Sequence, residues 1–135
     1  MTEKKENPVI IFSGYTKAAN DELNRVRHNI CLVSLENAGA KPIELKGYYK
    51  GLVEKSILVL DSPELRKIVL NLATYFDQES ILLLDQDRNA ALLFLGDNSQ
   101  QEIGRFIPVS KDKIDNLDAW VYNPTTKKYY SVVQV

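Results

Sequence analysis

Two unbroken apolar runs, Ile57–Leu60 and Ile81–Leu84, bracket a stretch whose apolar residues recur at helical spacing. Runs of that length without alternation belong to strands covered on both faces, so the chain must find cover for two sides of a sheet. Asp61-Ser62-Pro63-Glu64 opens the helix between them: an Asp or Ser cap, Pro in the first turn, and Glu at the positive end of the helix dipole. Leu65, Ile68, Val69, Leu72, Ala73 and Phe76 then form one buried stripe.

The remaining elements follow in order. Pro8–Gly14 is a first strand closed by Ser and Gly. Ala18–Asn37 has helical spacing, with Leu23, Val26, Ile30, Val33 and the Leu35/Ala38 end as its apolar positions, Asn20 or Thr16 as its cap and Gly39 as its stop. Pro42–Lys46 alternates as a half-exposed strand. Gly47–Gly51 predicts a turn holding two aromatics, and Glu54–Leu60 is the third strand. Ser80–Leu84 and Ala90–Leu95, joined tightly through Gln86–Asn89, predict a hairpin. Glu102–Val109 is a weaker strand broken by Pro108. Trp120–Tyr122 and Tyr129–Val135 make a terminal hairpin in which Trp120, Tyr122, Tyr129 and Tyr130 pack across the strands. The order β-α-β-β-α-β followed by more β predicts an α+β, ferredoxin-like sandwich. Two helices lie on one face of a mostly antiparallel sheet, with an extra C-terminal hairpin. The opposite face then needs a partner subunit or that hairpin to cover it.

With 135 residues the chain is expected to form a single domain over residues 8–135, after a flexible segment at 1–7. A net charge of −1 with both signs interspersed lacks the basic footprint of a nucleic-acid binder. No run is long enough to span a bilayer and no signal peptide is present. With a single cysteine, Cys31, the expected compartment is a reducing cytoplasm. Neither Gly-rich phosphate loop motif occurs, and one His with one Cys excludes the usual zinc cages, so no cofactor is expected. His28 and Cys31 share a side of one helix; Cys31 reads as core packing, and His28, beside Arg25 and Arg27, as a surface or subunit contact. Chemistry without metal, thiol or histidine requires a substrate that carries its own reactivity.

Polar groups gather at the strand ends: Tyr48, Tyr49 and Glu54, then Asp77–Ser80, then Asp85–Asn89. F-S-G-Y with the helix segments L-N-R-V-R-H and L-V-S-L, the loop G-Y-Y-K-G-L-V-E-K-S, the hairpin Q-E-S-I-L-L-L-D-Q-D-R-N-A-A-L-L-F-L-G, and the end G-R-F-I-P-V with W-V-Y and Y-Y-S-V stand in sequence. This layout resembles the bacteriophage S-adenosylmethionine (SAM) lyases, formerly called SAM hydrolases, over nearly the whole domain. The resemblance implies cleavage of SAM to methylthioadenosine and homoserine lactone in a host cell's cytoplasm, as a phage counter-defence. It implies catalytic roles for Glu54 and Tyr49, and substrate contacts from Tyr48, Gln78, Glu79, Ser80, Asn89 and Arg105. It also implies a homotrimer with sites between subunits. The Tyr49–Glu54 loop is shorter than the family's, so the tyrosine concerned is Tyr48, Tyr49 or neither.

The alternative is a non-catalytic sponge that sequesters a small adenine nucleotide immune signal. Such a site would gather basic residues for the phosphates. At the strand ends Glu54, Asp77, Glu79, Asp85 and Asp87 outnumber Lys50, Arg88 and Arg105, a balance that favours a cationic ligand.

Overall fold

Strand β1, Val9–Phe12, has only four residues, and all four are buried. In the computed structural model, which describes residues 6–49 and 51–134, β1 lies between β3 (Leu52–Leu60) and β4 (Ser80–Leu84), antiparallel to both. Lys50 and residues 1–5 of the expected flexible segment fall outside the described residues. Helix α1 (Asp21–Asn37) follows β1, and α2 (Pro63–Tyr75) follows β3. Ser62 Oγ accepts from Leu65 N, and Asn20 Oδ1 accepts from Leu23 N, so each helix starts on a side-chain cap.

The ferredoxin-like open sandwich is not what forms. Strands β2 (Ile43–Tyr49), β5 (Asn89–Phe94), β6 (Gln100–Val109), β7 (Ala119–Asn123) and β8 (Lys128–Val133) complete a closed eight-stranded barrel, ordered β1-β3-β2-β7-β8-β6-β5-β4. The physical reason lies at the two edges an open sheet would leave. Strand β2 pairs with β7 through Lys46–Tyr122 to Tyr49–Ala119, and β4 pairs with β5 through Ser80–Phe94 to Leu84–Ala90. Closure leaves no unpaired edge. It also answers the covering problem, because the C-terminal strands enclose the inner face without a partner subunit.

The two apolar runs serve both sides of this wall. Ile57, Val59, Ile81 and Leu83 point outward to Leu35, Val69, Ala73 and Phe76 beneath the helices. Leu58, Leu82 and Leu84 point inward to Val9, Ile11, Leu45 and Phe106. The expected loop at 47–51 is shorter than read, because β2 continues through Tyr49 and β3 begins at Leu52. Strand β6 carries a bulge where Ala90 meets Gly104 but Ala91 meets Glu102. On the outer face of β2, β7 and β8, Tyr48 stacks on Trp120 at 5.4 Å, and Trp120 meets Tyr129 edge-on at 5.3 Å. These aromatics pack across strands as their spacing predicts.

Helix α1 turns most of its expected apolar stripe to solvent, Leu35 excepted. Leu23, Val26, Ile30 and Val33 face solvent, each 43–53% exposed, while Asn24, His28, Cys31 and Leu35 are buried. The apolar end of this inner face, Cys31 and Leu35, joins the core. Its polar end is occupied by the hydrogen bonds of the loop before the helix. Among the described residues, no helix is long and apolar enough to cross a membrane.

Candidate active site

A cleft of about 790 Å³ lies beside the N-terminal half of α1. Tyr15, Asp21 and Arg25 form one side, and Glu44, Lys46, Glu54 and Lys55 of β2 and β3 the other. Glu54 stands opposite Gly47 in the β2–β3 register, so a neighbour without a side chain faces it. Burial raises the Glu54 carboxyl above its usual range, and the Lys17 charge only partly offsets this. Tyr15 is also raised, chiefly by burial. Arg25 counteracts the shift, and the acidic Asp21, Glu44 and Glu54 reinforce it.

His28 is buried rather than at the surface or a subunit contact. Only 2% of it is accessible, its Nε2 lies 2.8 Å from Glu44 Oε1, and its ring meets Tyr15 edge-on at 5.8 Å. Cys31 is packing, with burial pushing its thiol up to about 11 against the pull of Arg27.

The other residues singled out from sequence are spread over the barrel. Tyr48 is engaged in its stack with Trp120, and Tyr49 is 53% exposed at the β2–β3 turn. Gln78 lies at the same barrel end as Glu54 and donates its side-chain amide to Tyr15 O at 2.9 Å. Glu79 accepts through its carbonyl from Leu95 N, and Ser80 pairs with Phe94. Asn89 and Arg105 pair with each other at the opposite end, beside the β4–β5 turn. There Asn89 donates to Asp85 Oδ2 and Arg105 donates to Asp87 O. Asn89 and Asp85 line a separate depression of about 300 Å³, so these two contacts and Glu54 do not share a pocket.

The cleft is more evenly charged than the strand ends suggest: Asp21, Glu44 and Glu54 are set against Arg25, Lys46 and Lys55. Tyr15, Glu44 and Arg25 are residues the sequence reading missed. Their signal is spatial: the loop after β1 and the inner half of α1 fold towards the same strands.

The sequence model of the S-Adenosylmethionine lyase family matches residues 10–133, from within β1 to the end of β8. The chain belongs to the SAM lyase family. A comparison with curated proteins gives no match. As a SAM lyase family member the protein is an enzyme, and SAM is the substrate the family implies. A SAM lyase needs a cleft that accepts a ligand with an ammonium, a sulfonium and a carboxylate, and this cleft offers acids and bases on facing walls.

Proposed function

We propose that the protein cleaves SAM to methylthioadenosine and homoserine lactone by attack of the substrate's own carboxylate. A carboxylate oxygen forms a bond to the γ carbon as the bond from that carbon to the sulfonium sulfur breaks. The electron pair leaves with sulfur as a neutral thioether, and the five-membered lactone closes. No proton is exchanged in the bond-making step, so no general base is required. The protein contributes by folding the methionyl chain into a near-attack geometry and by excluding water.

The observation that supports this reading most directly is Glu54, a half-buried carboxylate in a roomy cleft of a family member. In this reading Glu54 holds the substrate's cationic side, its ammonium or sulfonium. Tyr49, exposed at the β2–β3 turn, takes part through assembly: in a homotrimer with sites between subunits, a neighbour's turn would close the cleft. Light scattering tests that assembly, and a clean monomer would remove Tyr49 from the site. The counter-defence role of a phage enzyme rests on the same reaction, which would deplete the methyl donor of host methylation systems.

Incubation of the purified protein with SAM, followed by chromatography with mass detection, tests the reaction. Methylthioadenosine with homoserine lactone, lost on Glu54→Gln, is the expected result. Intact SAM, or methylthioadenosine with open-chain homoserine formed directly, would overturn the mechanism.

A further inference from the structure

In the loop that carries Tyr15, each of Ser13, Gly14, Tyr15 and Thr16 is held by hydrogen bonds. Ser13 Oγ donates to Lys55 O at 2.7 Å and accepts from Tyr15 N at 3.0 Å. Gly14 O accepts from Arg27 Nε at 2.5 Å, and Tyr15 O accepts from Gln78 Nε2 at 2.9 Å. Thr16 exchanges two hydrogen bonds with the Asn24 side chain, donating its N–H to Oδ1 and accepting from Nδ2 at its carbonyl, both at 3.0 Å. The anchors therefore come from β3, from α1 and from the connection between α2 and β4. Connecting loops are ordinarily the least constrained part of a fold. Here the buried polar half of α1 is committed to fixing one, at the cost of an apolar stripe turned to solvent.

What these bonds hold in place is the Tyr15 ring. Below it lies His28, which Glu44 engages from β2; in front of it lies the cleft shared with Asp21, Glu44 and Glu54. A fixed aromatic ring attracts a cation through its quadrupole, and Asp21, Glu44 and Glu54 add to that attraction against the opposing charges of Arg25, Lys46 and Lys55.

We propose that Tyr15 is a specificity-determining residue of the cleft, whose ring selects the positively charged sulfonium over a neutral thioether, and that Asn24 is its positioning residue. The proposal rests on the SAM reading of the cleft. A ring that prefers the sulfonium binds the substrate but loses its grip once sulfur becomes neutral, which favours release of methylthioadenosine.

The test compares SAM with S-adenosylhomocysteine, which lacks the S-methyl group and with it the sulfonium charge. Calorimetry on the Glu54→Gln protein reads both affinities without turnover. Replacing Tyr15 by Leu there should lower the preference for SAM by roughly three- to thirty-fold, with S-adenosylhomocysteine affinity held within about two-fold. Tyr15→Phe, which keeps the ring, should retain the preference. Asn24→Ala should reduce it as well, and should add nothing further on top of Tyr15→Leu. Equal loss for both ligands, or an unchanged preference in Tyr15→Leu, would overturn the role of Tyr15. Additive losses would overturn the positioning role of Asn24. If the parent protein binds both ligands but forms no lactone, the reaction reading fails while this comparison still decides the role of Tyr15.

Discussion

His28 and Glu44 join the inner face of α1 to β2 through a 2.8 Å contact, although the imidazole is buried and the carboxylate is half-exposed. The other ring nitrogen, Nδ1, has no hydrogen-bond partner among the described residues. Removing the carboxylate therefore leaves a buried imidazole with neither nitrogen paired. Glu44→Ala is expected to cost about 1–3 kcal/mol of stability, and Glu44→Gln, which keeps an oxygen acceptor, distinctly less. Urea denaturation of the three proteins measures both.

Glu54 makes a prediction with opposite signs for activity and stability. Its folded-state pKa is raised by burial, so the group favours the fold while protonated and loses that contribution as pH rises through the raised value. Glu54→Gln should abolish lactone formation yet melt no lower, and somewhat higher, than the parent above neutrality. The difference in melting temperature should disappear below the range in which an unfolded glutamate titrates. A melting temperature lower at pH 8 would show that ionised Glu54 stabilises the fold.

The same shift sets a pH limb for activity. Whichever cationic group Glu54 holds, only the carboxylate form holds it well. The logarithm of kcat/KM should therefore fall as pH drops, with its apparent pKa above the ordinary glutamate range, as burial dictates. A limb at or below the usual value would contradict the buried carboxylate.

Gly104 sits at the β6 bulge with φ +130°, and a Cβ there would lie 2.1 Å from Val133 O. Gly104→Ala combines backbone strain with a collision against the neighbouring strand. The expected loss is roughly 3 kcal/mol, read as a lower urea midpoint. Gly96→Ala, where a Cβ meets nothing within 4 Å, serves as the control.

Cys31 is fully buried, and its thiol is pushed up to about 11. Iodoacetamide at pH 8 should leave the native protein unmodified over the time in which the urea-unfolded chain reacts completely. Mass spectrometry of the two samples checks this.

The chain states some of this structure openly and hides the rest for identifiable reasons. Ile57–Leu60 and Ile81–Leu84 announce strands covered on both faces, and they are up to Leu60, which is 51% exposed; the cover on the inner side is the barrel's own far wall. Ser62 and Pro63 mark the start of α2 to the residue. Periodicity misled at α1, because Leu23, Val26, Ile30 and Val33 do form a regular stripe. The competing pull is the hydrogen-bonding demand of Thr16, Gly14 and Glu44, which draws Asn24, Arg27 and His28 inward. Closure was invisible because the β2–β7 pairing leaves no local pattern in either strand. Glu54 was legible as a carboxylate at a strand entrance. Tyr15 was not, since its role depends on partners that come together only in the fold.

Barrel closure also bears on how the chain reaches this state. The Lys46–Tyr122 and Val9–Leu84 pairs join segments far apart in sequence, so the ring cannot close until most of the chain has been made and has come together. Pairings of such separation pay their loop entropy before they return any contact energy, which slows folding. Until β7 arrives, β2 presents a bare edge during synthesis. A cell making this protein quickly would therefore meet its aggregation hazard in the nascent chain, while the finished ring offers neighbouring molecules no strand to extend.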